Sequence, residues 1–214
     1  MRKRYVPLLL FFLCGCALSH TYERAGVCRG TGCIGGGVTF SDIYSVLPSD
    51  RPGFYLIKGN FISAEGYIEH PLYFQENISF SFHFIALAGR EWRSDPEGNM
   101  PSIPELVKWI GGEAGVKVMF VNNPYLVQSL KFQCNFSGAP LLEGGILTGI
   151  KIRGKEIVTL GIKAGFPYYL PHSYPALYLL IGSEKLYFSA GMSFPEGKYY
   201  QYYGGIYIHH IFTP

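Results

Sequence analysis

One alternating segment constrains the fold of this chain more than any other feature. In NISFSFHFIAL, which begins at Asn77, every second residue from Ile78 to Phe84 is apolar, and polar residues stand between them. This period of two is that of an extended strand with one apolar and one polar face. The same period recurs in residues 130–136, 158–166 and 186–194. We therefore predict an all-β protein.

The composition favours the same fold class. Aromatic residues make up 16% of the chain, and 27 glycines and 14 prolines supply frequent turns. Weaker strand patterns cover residues 54–68, 115–121, 146–153, 176–182 and 199–212. Sequential pairing of these strands predicts an antiparallel meander of about eight strands. It would form a β-sandwich or a small barrel within a single domain, residues 38–214.

One segment departs from the strand pattern. In PSIPELVKWIGG, Ser102 and Glu105 have the spacing of a capping box, Pro104 stands where a first helical turn begins, and Gly111 follows as a stop. This pattern predicts a short helix over residues 103–110.

A sheet with one apolar and one polar face can be arranged in a folded protein in two ways. The apolar faces can point inward, which gives a periplasmic sandwich or small barrel with an apolar core. They can instead point outward to lipid, which leaves polar and small side chains to fill the lumen of a membrane barrel. The best strands offer only four or five apolar positions, an amount also typical of a water-facing sheet. We favour the inward arrangement slightly and keep both.

The last predicted strand bears on this choice. Ile206, Ile208, His210 and Phe212 share one of its faces, close to the end of the chain. This pattern resembles the C-terminal assembly signal of small outer-membrane β-barrels. His210 and the residues after Phe212 depart from that signal. The resemblance implies an outer-membrane barrel that acts as a pore or a scaffold.

The first residues predict export. A basic run at residues 2–4 precedes an apolar run at 5–13 that is too short to span a membrane. Leu13, Cys14, Gly15 and Cys16 follow and resemble the lipobox of bacterial lipoproteins. The resemblance implies a signal peptide over residues 1–15, with Cys16 as the first mature residue and the site of lipid attachment. Several acyl chains on that residue would anchor the chain stably in the membrane.

The same resemblance implies a cellular location. Ala17, rather than Asp, follows the lipidated position, which favours the periplasmic face of the outer membrane. The formal charge of +3 disappears with the leader, because Arg2, Lys3 and Arg4 lie there and 15 basic and 15 acidic residues remain. A neutral chain gives no indication of nucleic-acid binding. The expected partners are the membrane, through the lipid, and an envelope protein.

Residues 16–37 carry no sustained period, and we interpret them as a glycine-rich tether. Gly30 to Gly35 match G-x-G-x-x-G, but no apolar strand precedes them and no helix start follows, so we predict no dinucleotide or other cofactor. Cys28 and Cys33 also lie there, and export to an oxidising compartment favours a disulfide between them. With only His20 nearby as a further ligand, we predict no metal site.

The polar faces of the predicted strands carry recurring basic residues: Lys117, Lys131, Lys151, Arg153 and Lys163. They could attract anions if they share one face or lumen, but a solvated outer face is the simpler interpretation. No catalytic residues emerge, since His172 and Ser173 are adjacent in a proline-flanked loop and no G-x-S-x-G elbow is present. We predict a non-enzymatic, lipid-anchored envelope protein with a structural, binding or assembly role. The alternatives are the outer-membrane barrel and, less favoured, an envelope hydrolase.

Overall fold

The computed structural model describes residues 23–28, 31–48, 54–72, 75–95, 99, 103–135, 141–167, 174–194 and 200–212. These residues form ten strands: β1 Gly32–Pro48, β2 Phe54–Leu72, β3 Gln75–Arg93, β4 Glu105–Asn122, β5 Leu126–Asn135, β6 Leu141–Ile152, β7 Lys155–Pro167, β8 Tyr174–Gly182, β9 Leu186–Ser193 and β10 Tyr200–Phe212. Among the described residues there is no helix with the length and apolarity needed to cross a membrane.

The strands form one closed barrel. Each strand pairs antiparallel with the next in sequence, and β1 pairs with β10, where Val38 faces Ile206. The predicted antiparallel meander is thus confirmed, in its barrel form. Because the sheet closes on itself, each of the ten described strands has a neighbour on both sides.

The apolar faces of the strands point outward. On β3, Phe82 and Phe84 are 54% and 63% exposed, whereas Ser81 and His83 are 2% and 3% exposed. The same alternation runs along the other strands and leaves the exterior rich in Ile, Leu, Val and Phe. The inward arrangement that the sequence analysis slightly favoured is therefore wrong. The period of two is shared by both arrangements, so the strand pattern alone could not separate them.

Glycines on the inner wall make room for tyrosines. A Cβ atom on Gly161 would lie 2.2 Å from the ring of Tyr178, its register partner on β8. The ring therefore lies flat against the neighbouring strand. Three further register pairs show the same contact: Gly35 with Tyr67, Gly37 with Tyr207, and Gly191 with Tyr203. The high glycine and tyrosine content thus serves the packing of the barrel interior.

Two sequence predictions require correction. Residues 105–110 begin β4 instead of the predicted helix over 103–110, because pairing with β3 outweighs a local capping pattern. Residues 32–37, which we placed in the tether, are the start of β1. Glycine obscured that strand in the sequence, since Gly35 to Gly37 carry no side chain to show alternation. The structure therefore has two strands more than the eight or so predicted.

Candidate functional site

The lumen of the barrel is occupied by the chain itself. Residues 23–28, which we call the plug segment, precede β1 and lie inside the wall. The amides of Ala25 and Gly26 each donate a 2.9 Å hydrogen bond to the carboxylate of Glu156 on β7. From β5, the hydroxyl of Ser129 donates to the carbonyl of Ala25. Because β5 and β7 both flank β6, these contacts fix the backbone of the plug segment against that part of the wall.

Glu23 is the central anion of the lumen and is 2% exposed. Its Oε1 atom lies 2.6 Å from Lys131 Nζ and 2.5 Å from His83 Nε2, and its Oε2 atom lies 3.4 Å from Lys117 Nζ. Burial alone would oppose ionisation, but Lys131, Lys117 and His83 outweigh it and hold the pKa of the Glu23 carboxyl well below its ordinary value. The Tyr178 hydroxyl donates to the Glu23 carbonyl at 3.1 Å. One residue of the plug segment thus joins β3, β4, β5 and β8.

A second carboxylate holds the other end of the plug segment. Glu69 on β2 accepts hydrogen bonds from Lys117 Nζ at 3.0 Å, from the Ser79 hydroxyl at 2.6 Å and from the Cys28 amide at 3.1 Å. Lys117 also donates to the carbonyl of Arg24 at 3.1 Å. This lysine is 1% exposed and therefore needs these acceptors to remain charged inside the barrel.

Arg24 fastens the plug segment to the β8–β9 hairpin. Its guanidinium donates to the carbonyl of Glu156 at 2.7 Å, to the carbonyl of Gly182 at 3.1 Å and to the carbonyl of Ser183. It also lies 5.3 Å from the centre of the Tyr187 ring. Backbone carbonyls that a turn would otherwise expose are satisfied by this side chain.

Tyrosines complete the filling of the lumen. The rings of Tyr187 and Tyr207 stack with their centres 5.2 Å apart, and the hydroxyl groups of Tyr67 and Tyr187 lie 3.4 Å apart. The Tyr207 hydroxyl donates to Glu65 at 2.7 Å. Tyr178, Tyr187 and Tyr207 are all fully buried. At this level the interior is packed with side chains.

The structure divides the predicted basic residues into two groups. Lys117, Lys131 and Lys163 face the lumen, where each lies near a carboxylate, and the Lys163–Glu143 distance is 3.6 Å. Lys151 and Arg153 lie at the β6–β7 turn, and Lys151 donates to Asn122 and to the carbonyl of Asn123. Lumenal carboxylates therefore neutralise the lysines that share the interior, and the five residues do not form one anion-attracting surface.

The most important lumenal residue was missed in the sequence. Glu23 lies in the part interpreted as a tether, where no periodicity marks it. Glu69 and Glu156, which hold the same segment, sit on polar strand faces, and nothing in their spacing points to a common partner. The sequence offered one signal for these residues, a carboxylate on the face of a strand that points into the barrel. That signal could be used only after the inward and outward faces of the strands had been assigned.

The two predicted disulfide partners lie side by side without a bond between them. Cys28 and Cys33 have their sulfur atoms within 4.8 Å of each other, and a ring nitrogen of His209 lies within the same distance of both. The disulfide stays a prediction. Cys16, the predicted lipid site, and His172 and Ser173 lie outside the described residues.

A cavity of about 760 Å³ opens between the plug segment and the end of the barrel where β1 begins. It is bounded by Glu23, Cys28, Tyr67 and His209, and by residues near the short turns at that end of the barrel. The cavity gives Cys28 and the His209 ring a passage to solvent.

Comparison with known proteins gives similarity of shape alone. No family model matches the chain, and no curated protein matches its sequence. The β domain of the Bordetella autotransporter Brka superposes with a TM-score of 0.48 at 10% identity, covering 84% of this chain and all of that one. The translocator domain of the autotransporter NalP from Neisseria meningitidis gives a TM-score of 0.35 at 11% identity, covering 86% of this chain and 90% of that one. At these scores and identities, neither likeness assigns a family or a function to this chain.

Proposed function

We propose that this chain is a β-barrel of the bacterial outer membrane whose lumen is closed by its own plug segment. Its role is structural or binding rather than enzymatic, and it serves as a membrane scaffold rather than an open pore. The observation that carries the proposal is the combination of an apolar exterior with a polar, chain-filled interior. The apolar exterior fits lipid, and the described residues fill the interior at the level of Glu23.

The height of the apolar exterior matches a membrane. On β3 the outward residues are apolar from Ile78 to Ala88, and the next outward residue is Arg90. Ten residues rise by roughly 33 Å along a strand, and a tilt of about 40° reduces this to roughly 25 Å across the membrane, the height of the apolar band in outer-membrane barrels. Exposed polar and charged residues, among them Asp42, Asn60 and Lys108, lie beside Arg90 at the same edge.

The connections give the barrel an orientation. Short connections, residues 73–74, 123–125, 153–154 and 183–185, lie at the end where β1 begins and β10 finishes. Longer connections, among them residues 94–104 and 168–173, lie at the other end. Short periplasmic turns and longer outer loops are the rule for such barrels. The cavity below the plug segment would then face the periplasm.

The width expected of a ten-stranded barrel supports a lumen that is closed by the plug segment. An eight-stranded barrel has an interior just wide enough for its own side chains, and ten strands enclose more space. Here the additional space holds Glu23 to Cys28, and paired charges bind them to the wall. A segment held by buried ion pairs and backbone hydrogen bonds from several strands stays in place unless those charges change.

Ion conductance tests the closed lumen. In planar lipid bilayers, the full chain is expected to show no steady conductance. Glu23→Lys is expected to conduct, because a third ammonium beside Lys117 and Lys131 would repel the plug segment from the wall. Glu23→Asp, which keeps the negative charge, is the matched control and should stay closed. Equal, steady conductance in the wild type and in Glu23→Lys would overturn the plug.

We further propose that a lipid is attached to Cys16, on the basis of the lipobox resemblance. Six residues lie between Cys16 and Glu23, and the seven steps from one to the other span at most roughly 25 Å in an extended chain. That reach is enough to bring an anchor from the lumen to a membrane surface. Metabolic labelling with a radioactive fatty acid should mark the wild type and Cys14→Ser but leave Cys16→Ser unlabelled. Label retained in Cys16→Ser would exclude this residue as the anchor.

A further inference from the structure

We propose that Cys28, Cys33 and His209 form a binding site for a thiophilic metal ion, Zn²⁺ by the nature of its ligands. The three residues come from the plug segment, the first strand and the last strand. The site needs the barrel fold, which brings them together, and it does not depend on membrane insertion.

The distances suit one ion. Two sulfur atoms and one ring nitrogen lie within 4.8 Å of one another. Tetrahedral Zn²⁺ with Zn–S bonds near 2.3 Å would hold two sulfurs roughly 3.8 Å apart. A closure of about 1 Å or less is therefore required. Cys28 can supply it, because it lies outside the strands, whereas Cys33 and His209 are fixed by the pairing of β1 with β10.

The hydrogen bond of His209 selects the ring tautomer that a metal ligand needs. Its Nδ1 atom lies 3.0 Å from the carbonyl oxygen of Glu184, and since a carbonyl can only accept, Nδ1 carries the proton. In the neutral ring, Nε2 then holds a lone pair. Metal-binding histidines are commonly oriented by a hydrogen bond from the ring nitrogen that does not bind the metal to a backbone carbonyl.

The remaining nitrogen of His209, Nε2, is buried. Within the part of the chain that the structure describes, it makes no hydrogen bond of normal length and angle, and the Cys28 thiol is the polar group that lies beside the ring. A buried acceptor without a well-formed hydrogen bond is costly. A disulfide between Cys28 and Cys33 would use both sulfurs and leave this lone pair unsatisfied. A metal ion uses all three groups, and for that reason we favour it over the predicted disulfide.

The surroundings leave a place for a fourth ligand. Cys28 and His209 border the 760 Å³ cavity, so water or a small donor could complete the coordination sphere. Cys33 is fully buried, and the nearby Glu69 is already paired with Lys117, so two thiolates and Zn²⁺ would leave the site without excess charge. A bound ion would join the plug segment to the two strands whose pairing closes the barrel.

Cobalt substitution tests the site in the full chain, folded in detergent under reducing conditions. Co²⁺ should bind at one equivalent with thiolate charge-transfer absorption in the near ultraviolet, and Zn²⁺ should displace it. Cys28→Ser and Cys33→Ser should abolish that absorption, and His209→Gln should weaken binding by about tenfold or more. His210→Gln and Cys134→Ser are matched controls, because both side chains lie on the outward face, and they should bind as the wild type does.

Two results would overturn the metal site. One is the absence of the thiolate band in wild-type protein that shows the gel-mobility shift of a folded barrel on boiling. The other is a Cys28–Cys33 disulfide in protein extracted from membranes with an alkylating agent present and no reductant. Binding that survives His209→Gln unchanged would likewise exclude His209 as a ligand. None of these results bears on the conductance test, so failure here is separate from failure of the proposed plugged barrel.

Discussion

Replacing Glu23 by alanine is expected to lower the free energy of unfolding of the barrel by about 3–5 kcal/mol, the usual cost of removing one partner from a buried ion pair. The cost arises because Lys131 and Lys117 stay buried after their common anion has gone. The gain in cavity volume adds to it. The measurement is denaturant unfolding in detergent micelles, read by the shift in gel mobility between folded and unfolded chain.

An exposed glutamate provides the matched control. Glu76→Ala, at the end of the barrel with the short turns, should change the unfolding free energy by less than about 0.5 kcal/mol. A double variant separates charge from packing: Lys131→Met should cost less in the Glu23→Ala background than in the wild type, since the two residues are coupled. Additive effects of the two substitutions would contradict the ion pair as the source of the stability.

Phe82→Arg is expected to lower the stability of the barrel in lipid by about 2–4 kcal/mol, which is the cost of a cation at the bilayer midplane. Phe82 lies in the middle of the outward apolar run of β3 and is 54% exposed. In a water-facing barrel the same change would be harmless or would increase solubility. The measurement is equilibrium unfolding from phospholipid vesicles, with the yield of folded chain in those vesicles as a second readout.

The control for this variant uses the dependence on depth. Ile152→Arg places the same side chain on an exposed residue beside the β6–β7 turn, where the cost should fall to about 0–1 kcal/mol. A difference of two or more kcal/mol between the two variants would locate the apolar exterior within the bilayer. Equal costs in vesicles, or a stable and lipid-free wild type without detergent, would contradict the membrane barrel.

Sequence reasoning recovered the strands but not their orientation. The alternation at residues 78–84 is the same whether the phenylalanines face a core or lipid, so only the exposure of the two faces in the folded barrel could decide between them. The helix predicted at 103–110 failed because local capping contributes about 1 kcal/mol, whereas residues 105–110 gain a row of strand pairing with β3. β1 was missed at its start, where glycine removes the alternation on which detection depends.

The lumenal site could not be predicted from the sequence, for a different reason. Glu23 and its partners Lys117 and Lys131 are separated by about a hundred residues. His209 lies even further along the chain from the cysteines that it approaches. No periodicity relates positions so far apart, and only the closed topology brings them together. The lipobox resemblance, by contrast, rests on a contiguous pattern, and lipid attachment at Cys16 stays a prediction.

The pairing of β1 with β10 also dictates an order of events during folding. Gly32 and Phe212 are register partners from opposite ends of the described barrel, so their contact closes the longest loop and is expected to form last. The plug segment stands directly before β1 and contacts β2, β3, β4, β5, β7 and β8. These strands can pack around the plug segment while the sheet is still open. The plug segment would thus be a template around which the later hairpins pack, and the pairing of β1 with β10 would enclose it last.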